Sequence, residues 1–373
     1  MMQALITLRY QKVDFRIMRG DILYPIRRLH GIVYEFVKKA EYWVSYILPF
    51  GKKVFIIGTP VHGNLGDSAI VIAQIEFLKK SGYRPERIKE ITISDYRKEW
   101  SRIRRLIHKK DLICFPGGGN MGNLWPDEDE FRFSVMRDLP QNRFIMFPQT
   151  VFFTPDKDAE AHKLKTIKYY NNPNITLVAR EKESFKLMEK LYPKAKILLT
   201  PDMVLSADMN AFGAESNGQT DEILFCFRND IERVVSEGDA DEIKTFVSKQ
   251  GFKICSTDTH KGNNACVTSS GRRDDVREKL GEFSRARLVV TDRLHGMVFA
   301  AIAGTPCIAF DNKSDKVRGT YEWISYLPYI KFAENTEEAK AMLSELLKMG
   351  GQTFDNEPLK KYFRQITKEL QKG

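Results

Sequence analysis

The chain has 373 residues, a length that favours two domains over one, and its 42% hydrophobic and 29% charged content is typical of a soluble globular protein. No run of 18 apolar residues is present, which excludes a membrane-spanning helix, and the first residues lack the order of a secretory signal. The five cysteines are scattered and form no CxxC pair, so we expect a cytoplasmic protein without a disulfide framework.

The net charge of +10 is concentrated in the first third of the chain. Residues 1–53 hold ten Lys and Arg against four Asp and Glu, and residues 79–110 hold twelve against four. Such stretches suit nucleic acid, an acidic membrane face or an anionic substrate. No nucleic-acid-binding module is recognisable, and the spacing of Trp100, Ile103 and Leu106 is typical of a helix face packed on a sheet, so we expect no nucleic-acid partner.

Residues 1–50 are predicted to be a basic, amphipathic helical extension. In their second half, Ile32, Phe36, Ala40 and Ile47 recur on one helical face, with basic side chains away from it. Two interpretations remain open: a helix lying in a membrane interface, or a helix packed on the protein's own core.

From Lys53 onward, predicted strands alternate with predicted helices. The strands of the first set are VFIIGT (54–59), ITIS (91–94), DLICF (111–115), RFIMF (143–147), ITLVA (175–179) and KILLT (196–200). Helices are expected over 67–80, 96–108 and 157–170. Because these strands are continuously apolar, we predict a parallel sheet covered on both faces, forming an N-terminal Rossmann-like domain over 51–205.

A polar stretch rich in small residues, 206–221, is predicted to link this domain to a second alternating set. The strands of the second set are EILFCF (222–227), FKICS (252–256), RLVVT (287–291), CIAF (307–310) and YIKF (329–332). They predict a C-terminal Rossmann-like domain over 222–350, followed by a C-terminal helical segment, 351–373, that could cross back to the first domain. The predicted fold is α/β, with two Rossmann-like domains facing a cleft.

Ligands of parallel sheets bind at the carboxyl ends of the strands, so the strand exits are the candidate site. The first exit contains Asn64 between two glycines and Asp67 directly after the second, where Asp67 either caps the following helix or serves a ligand. The third strand ends in Gly117, Gly118 and Gly119, which allow close approach of a ligand to the backbone. The acidic residues 127–130 include an Asp-x-Asp, but such a run is typical of a helix start, so we expect no metal.

Two further exits carry arginine. Arg180 follows an apolar strand, and it either pairs with Glu183 or Asp202 or clamps an anionic ligand. The exit of the RLVVT strand brings together Arg293 and His295 before a helix, where an anion gains from the helix N-terminus and the guanidinium. Since imidazole transfers protons near neutral pH, His295 is the candidate catalytic group.

The order and spacing of these exits resemble those of the polysaccharide pyruvyl transferase family. The residues that carry the resemblance, from about 55 to 312, are Gly63-Asn64-Leu65-Gly66-Asp67, Pro116-Gly117-Gly118-Gly119-Asn120, Pro148-Gln149-Thr150, Ala179-Arg180-Glu181 with Ser184, Pro201-Asp202, Thr291-Asp292-Arg293-Leu294-His295-Gly296 and Gly304-Thr305-Pro306.

The resemblance implies a GT-B-like fold and transfer of the pyruvyl group of phosphoenolpyruvate, as a ketal, to a sugar in surface polysaccharide biosynthesis, without a cofactor. It further implies His295 and Asp67 as catalytic residues. The residues implied to bind the donor are Asn64, Arg180, Arg293 and Leu294, with Arg228 and Lys316 placed by analogy and Lys313 as an alternative to Lys316.

The resemblance also implies an acceptor that is carried on a lipid, which would place the enzyme in peripheral contact with the inner face of the cell membrane. The alternative is a GT-B glycosyltransferase that uses a nucleotide sugar, in which Asp311 and Asn312 would contact the ribose.

Overall fold

The computed structural model describes residues 33, 34, 36, 37, 40, 41, 43–215, 218–229, 233–262, 265–313 and 315–372. The chain divides into two compact units, Met1–Phe50 and Gly51–Gly373. In the first unit the described residues between 33 and 47 are helical, and the side chains of Phe36, Val44 and Ile47 are exposed. Of the predicted amphipathic helix, Ile32 on the apolar face and the basic residues 38–39 away from it lie outside the described residues.

The second unit begins with a parallel seven-stranded sheet. Its strands are β1 (Val54–Thr59), β2 (Ile88–Thr92), β3 (Leu112–Phe115), β4 (Gly118–Gly122), β5 (Arg143–Phe152), β6 (Ile175–Ala179) and β7 (Lys196–Leu199). The order across the sheet is β2-β1-β3-β5-β6-β7, with β4 paired to β5, and every pairing is parallel. The central strands β1, β3 and β6 are buried except at Gly58, as their apolar sequences predict.

Three of the five helices beside this sheet begin at a side-chain cap, from Asn64, Thr92 or Asp156. The five are α1 (Leu65–Lys80), α2 (Ile93–Ile103), α3 (Pro126–Asp138), α4 (Lys157–Tyr170) and α5 (Lys182–Leu191). The strand predicted over 91–94 ends at Thr92 because Thr92 and Asp95 form a reciprocal capping box that starts α2.

Strand β4 is absent from the prediction. Its sequence, Gly118-Gly-Asn-Met-Gly122, has low strand propensity and reads as a loop. It nevertheless pairs with the carboxyl half of β5, which runs five residues further than predicted, to Phe152. At Gly122, where φ is +115°, an added Cβ would lie 1.9 Å from the carbonyl oxygen of Phe152, so this close pairing requires glycine.

A parallel five-stranded sheet follows. Its strands are β8 (Glu222–Cys226), β9 (Lys253–Ser256), β10 (Leu288–Thr291), β11 (Cys307–Ala309) and β12 (Ile330–Phe332), in the order β12-β11-β10-β8-β9. Its helices are α6 (Glu237–Ser248), α7 (Arg272–Arg285), α8 (Leu294–Ala303), α9 (Lys316–Ile324) and α10 (Thr336–Leu346). Two Rossmann-like domains are therefore present, and the architecture is α/β and GT-B-like.

The two sheets are joined by packed helices and by a loop that we call the clasp, residues 257–262 and 265–267. Helix α1 packs against α7. In the clasp, Thr259 accepts a hydrogen bond from the Leu65 amide at 2.8 Å, and the Val267 amide donates to the carbonyl of Val61 at 2.9 Å. The clasp thus binds the loop between β1 and α1, which holds the first group of predicted site residues.

The last helix, α11 (Glu357–Leu370), lies against the first sheet. Tyr83 donates its hydroxyl to the carbonyl of Leu370 at 2.7 Å, and Arg143 donates to the carbonyl of Glu369 at 2.8 Å. The chain therefore ends on the domain in which its first strand lies. Within the described residues, we find no helix that is both long enough and apolar enough to cross a membrane.

Candidate active site

Each sheet has a point where the strand order reverses, and the predicted site residues follow those points. In the first sheet, β2 lies on one side of β1 and β3 on the other; in the second, β9 and β10 flank β8. Loops that leave such neighbouring strands separate in opposite directions and open a crevice at the carboxyl edge. Asn64 and Asp67 follow β1, Gly117 follows β3, Arg228 follows β8 and Arg293 follows β10.

The loop after β1 places Asn64 and Asp67 in different roles. Asn64 is the N-cap of α1, and its Oδ1 accepts from the amides of Gly66 at 3.0 Å and Asp67 at 3.5 Å. Asp67 therefore does not cap the helix. Its Oδ2 lies 3.7 Å from Nε2 of His62. Its Oδ1 would lie 3.8 Å from a Cβ added to Gly118, so the carboxylate also faces that glycine.

Strand β4 presents its first two glycines to different groups. A Cβ on Gly119 would lie 3.0 Å from Nη2 of Arg180 and 3.8 Å from Cδ of Lys316, whereas Gly118 is the one that faces Asp67. Neighbouring strand positions point to opposite faces, which explains this division. Gly117, buried before the strand, packs on the carbonyl of Pro148 and has no room for a side chain.

Arg180 is almost fully buried, with 1% of its surface exposed. Its Nη1 donates to Oδ2 of Asp202 at 2.9 Å, and its Nε and Nη2 donate to Oγ1 of Thr150. Of the partners considered from sequence, Asp202 is the one observed, while Glu183 is exposed and pairs with Lys186. Since Nη2 also approaches Gly119, Arg180 supplies a buried positive charge beneath the glycine strand.

His295 lies in the first turn of α8, against the first turn of α1. A Cβ on Gly66 would lie 2.2 Å from Nδ1 of His295, so the imidazole packs directly on that glycine. Its Nε2 lies 3.6 Å from Oδ2 of Asp202, and 11% of the side chain is exposed. Although burial alone would raise the pKa of Asp202, the His295 imidazole and the Arg180 guanidinium hold it well below its usual range.

Arg293 and Leu294 flank His295 in the chain but have different surroundings. Nη2 of Arg293 donates to Oδ2 of Asp258 at 2.7 Å, and Nε lies 2.7 Å from Oδ1, so the two side chains form a forked ion pair. Asp258 belongs to the clasp. Leu294 is buried in the core and starts α8.

Arg228 and Asp292 meet at the reversal point of the second sheet. The Arg228 amide donates to Oδ1 of Asp292 at 2.7 Å. Asp292 is fully enclosed, and burial raises the pKa of its carboxyl in spite of that bond and the nearby arginines. Arg228 itself is half-buried, at the edge of the site.

Lys316 and Lys313 differ in position, although both were considered from sequence. Lys316 is half-buried at the start of α9 and approaches Gly119 and the Glu181 carboxyl of the first domain. Lys313 is exposed. The geometry therefore favours Lys316 as the lysine that reaches the glycine strand.

The acidic stretch 127–130 lies in the first turns of α3. The carboxylate of Asp129 is buried and accepts hydrogen bonds from the Gly122 amide, Arg132 and Tyr170, and it also lies 2.9 Å from Nε2 of His162. Among the described residues, no cluster of His, Cys, Asp and Glu is arranged to hold a metal ion.

The strand exits do not predict the roles of two residues of the site, Asp202 and Asp258. The sequence predicts Asp202 as a possible partner of Arg180 and as part of the motif Pro201-Asp202, but not as the neighbour of His295, which its carboxylate also faces. The signal was its position after the last strand of the first domain. Asp258, which pairs with Arg293, follows β9 by two residues, and its own strand exit showed no unusual residue pattern.

The residues of these loops match those of a known protein family. The sequence profile of the polysaccharide pyruvyl transferase family matches residues 64–314, which contain Asn64, Asp67, Gly117, Arg180, Arg228, Arg293 and His295. The chain belongs to the polysaccharide pyruvyl transferase family. This membership makes it a transferase.

One relative is itself named a pyruvyl transferase. The chain is 31% identical to pyruvyl transferase 1 of Schizosaccharomyces pombe over 272 residues, covering 70% of this chain and 66% of that protein. It is 32% identical to general stress protein 30 of Bacillus subtilis over 302 residues, 79% of this chain and 85% of that one. An uncharacterized Klebsiella pneumoniae protein of known structure aligns with a TM-score of 0.52 at 19% identity, over 80% of this chain and 98% of that chain, which supports the fold alone.

Proposed function

We propose that this pyruvyl transferase moves the pyruvyl group of phosphoenolpyruvate onto two hydroxyls of a sugar, as a ketal, during surface polysaccharide synthesis. The observation that carries the proposal is the meeting of Arg180 and Lys316, from different domains, at the side-chain-free strand position Gly119. Phosphoenolpyruvate carries a carboxylate and a phosphate, and such groups are bound by cations and by exposed backbone N–H groups.

The donor contacts are assigned by where the cations lie. Arg180 and Lys316 flank the glycine strand, Arg228 and Arg293 lie at the reversal point of the second sheet, and the N-terminus of α8 begins at Leu294. Arg293 is held by Asp258, so donor binding is expected to compete with that ion pair. Asn64 acts by ordering the amides at the start of α1 rather than by direct contact.

The reaction balances with two proton transfers. A proton is added to C3 of phosphoenolpyruvate, which makes C2 electrophilic; one sugar hydroxyl then attacks C2, phosphate leaves, and a second hydroxyl closes the ketal. Of the two hydroxyl protons released, one replaces that delivered to C3 and the other leaves with phosphate. We assign proton transfer to His295, and Asp67 is the second acid–base group. The carboxylate of Asp202 faces the imidazole of His295 and would orient it.

The same proposal includes a lipid-linked acceptor and peripheral contact with the inner face of the membrane. Its support is the charge distribution: Arg97 and Lys98 of α2 and Arg105 and Lys109 just after it are exposed on the first domain, while Trp100 of α2 is buried. Basic side chains of this kind bind anionic lipid headgroups.

The test is incubation with phosphoenolpyruvate and a panel of nitrophenyl and lipid-linked hexosides, following phosphate release and the mass of the product. We expect both signals from the wild type, and His295→Gln should lower kcat by about 10²-fold or more, the scale of a lost acid–base group. Thermal stabilisation by phosphoenolpyruvate should persist in that variant. Stabilisation by nucleotide sugars but not by phosphoenolpyruvate would contradict the proposal and favour the glycosyltransferase alternative.

A further inference from the structure

A cavity of about 500 Å³ lies at the carboxyl edge of the second sheet, outside the proposed donor site. Its walls are the residues that follow β11 and β12, the start of α9 and the segment that leads into α6. That volume is within the range of sites for drug-sized ligands, about 300–1,000 Å³. We propose that this cavity binds the acceptor sugar next to the one that is pyruvylated, an inference that rests on the proposed function.

The cavity lies beside the donor site, on the other side of α9. Lys316 begins this helix and approaches Gly119 of the first domain, whereas Arg318 lines the cavity. Residues two apart in a helix do not share a face, so α9 gives one cation to each compartment. In the sheet, Phe310 of the cavity wall packs against Phe227, which directly precedes Arg228 of the donor site, with ring centroids 6.3 Å apart. A ligand that occupies both compartments therefore has only the start of α9 to cross.

The charge of the lining favours a neutral ligand. Lys313 and Arg318 are outnumbered by four acidic residues, Asp239, Asp311, Asp315 and Glu334. Arg318 is already engaged, because its Nε lies 3.3 Å from Oδ2 of Asp311 and its Nη2 donates to Glu334 at 2.5 Å. Carboxylates repel phosphate groups and accept hydrogen bonds from hydroxyl groups. The cavity therefore suits a sugar better than phosphoenolpyruvate or the phosphates of a nucleotide.

The cavity combines an apolar interior with a polar mouth. The buried part of its lining includes Val235, Phe310 and Ala333, whereas Asp315 and Glu334 are exposed. A sugar ring presents C–H groups on its faces and hydroxyl groups around its rim. Apolar walls with a few placed polar groups are the usual lining of a small-molecule site, and this arrangement matches both parts of a sugar.

Asp315 has a carboxylate that its own helix does not use. It is the N-cap of α9, but its side chain makes no capping hydrogen bond. Among the residues that the structure describes, it is the one non-glycine with a positive φ, +53°, a conformation that aspartate adopts at a cost. Since an aspartate at this position ordinarily binds the first helix amides, the carboxylate at the cavity mouth is left for a ligand.

The inference is tested by filling the cavity with Val234→Trp. Val234 lines the cavity and is 58% exposed, so the larger side chain should be tolerated without unfolding. Leu164→Trp is the matched control, because Leu164 is an exposed apolar residue of the first domain outside the lining. Asp315→Asn is a second variant, which removes the charge and keeps a residue that tolerates positive φ.

The probes are p-nitrophenyl glycosides with one and with two hexose rings. Steady-state transfer gives the acceptor KM for each length, and saturation-transfer NMR measures glycoside binding without turnover. Thermal shift measures the binding of phosphoenolpyruvate, and a parallel series with nucleotide sugars tests the other class of ligand.

In the wild type we expect the KM of two-ring glycosides to be about tenfold lower than that of one-ring glycosides, as one added set of hydrogen bonds predicts. Val234→Trp should bring the two KM values together, and Asp315→Asn should reduce their difference. Leu164→Trp should keep the preference, and all variants should keep stabilisation by phosphoenolpyruvate.

Equal KM values for both lengths in the wild type, or a folded Val234→Trp that keeps the preference, would overturn the inference. Stabilisation by a nucleotide sugar that Val234→Trp abolishes would assign the cavity to nucleotides instead. If no glycoside releases phosphate, the proposed reaction fails and saturation transfer decides the cavity separately. A two-ring signal that Val234→Trp removes would then support the sugar site, and no signal with the wild type would overturn it.

Discussion

Asp202 is the residue on which both Arg180 and His295 depend. Its carboxylate is 1% exposed, lies 2.9 Å from Nη1 of Arg180 and 3.6 Å from Nε2 of His295. A buried guanidinium without its carboxylate is costly, and an imidazole without an orienting group loses its preferred tautomer. Asp202 therefore links the stability of the first domain to the orientation of His295.

We expect Asp202→Ala to lower the free energy of unfolding by about 3–5 kcal/mol at neutral pH, the usual cost of breaking a buried ion pair. Because the folded-state pKa of Asp202 is depressed, its stabilisation is present above the ordinary aspartate pKa of about 3.9 and is lost as the pH falls below it. Urea denaturation over a pH series should show the difference from wild type shrinking on acidification.

Glu183→Ala is the control for that experiment, because Glu183 was the other carboxylate considered as the partner of Arg180 and it is exposed. Its unfolding free energy should equal that of the wild type at every pH. A difference for Asp202→Ala that grows below about pH 4 would show that the carboxylate is not ionised through its native contacts.

At the scale of elements, two helix N-termini from different domains meet at Gly66 and His295. The first turn of α1 offers a glycine where the first turn of α8 places its imidazole. The two partial positive charges of these helix ends converge on the same region, which favours an anionic ligand there.

Gly66→Ala is expected to displace the His295 ring, since the new Cβ would lie 2.2 Å from Nδ1. A misplacement of about 1 Å can cost about 10²-fold in rate, so kcat should fall on that scale while the fold is retained. The control is Gly350→Ala, where an added Cβ meets nothing within 4 Å. Equal kcat values for the two variants would place His295 outside the reaction.

The apolar strands and several helices follow from the sequence because hydrophobic burial determines them. Strand β6 has the predicted bounds, and α4 spans the predicted 157–170. Strand β4 was missed because its glycines carry no apolar pattern, and its pairing is fixed by backbone contacts with β5. The start of α2 was predictable from Thr92 and Asp95, whose spacing is a capping-box signal.

The strand exits predicted where site residues would lie but, apart from Asp202 as one candidate partner of Arg180, not how they pair. Asn64 caps a helix, Arg180 is buried on Asp202, and Arg293 is held by Asp258. Arg180 and Asp202 are 22 residues apart along the chain, and Arg293 and Asp258 are 35 residues apart. Pairings at that distance depend on how the two sheets and the clasp pack, which no local sequence pattern encodes.

At the scale of the whole molecule, the uneven charge remains to be explained. Residues 1–53 are basic, and the described side chains Phe36, Val44 and Ile47 of that region are exposed and apolar. An exposed apolar stripe with basic neighbours is typical of a helix that lies in a membrane interface.

We expect the full chain to co-sediment with anionic vesicles at low salt and to be released at high salt, because surface charges are screened over about 8 Å at physiological ionic strength. Truncation before Lys52 should abolish co-sedimentation and leave activity on a soluble hexoside unchanged. Equal sedimentation of both forms, or of neither, would indicate that residues 1–50 pack on the protein itself.

The length of the parallel strands also sets a minimum distance between a lipid at the amino edge of the sheet and a sugar at the site. Arg104, Arg105, Lys109 and Lys110 are exposed just before β3, at the amino edge of the sheet, whereas the site opens at the carboxyl edge. The six residues of β1 separate these edges by about 20 Å. If the basic edge faces a membrane, a sugar attached directly to its lipid would stop short of His295. The enzyme would then modify a glycan already several units long, late in its assembly.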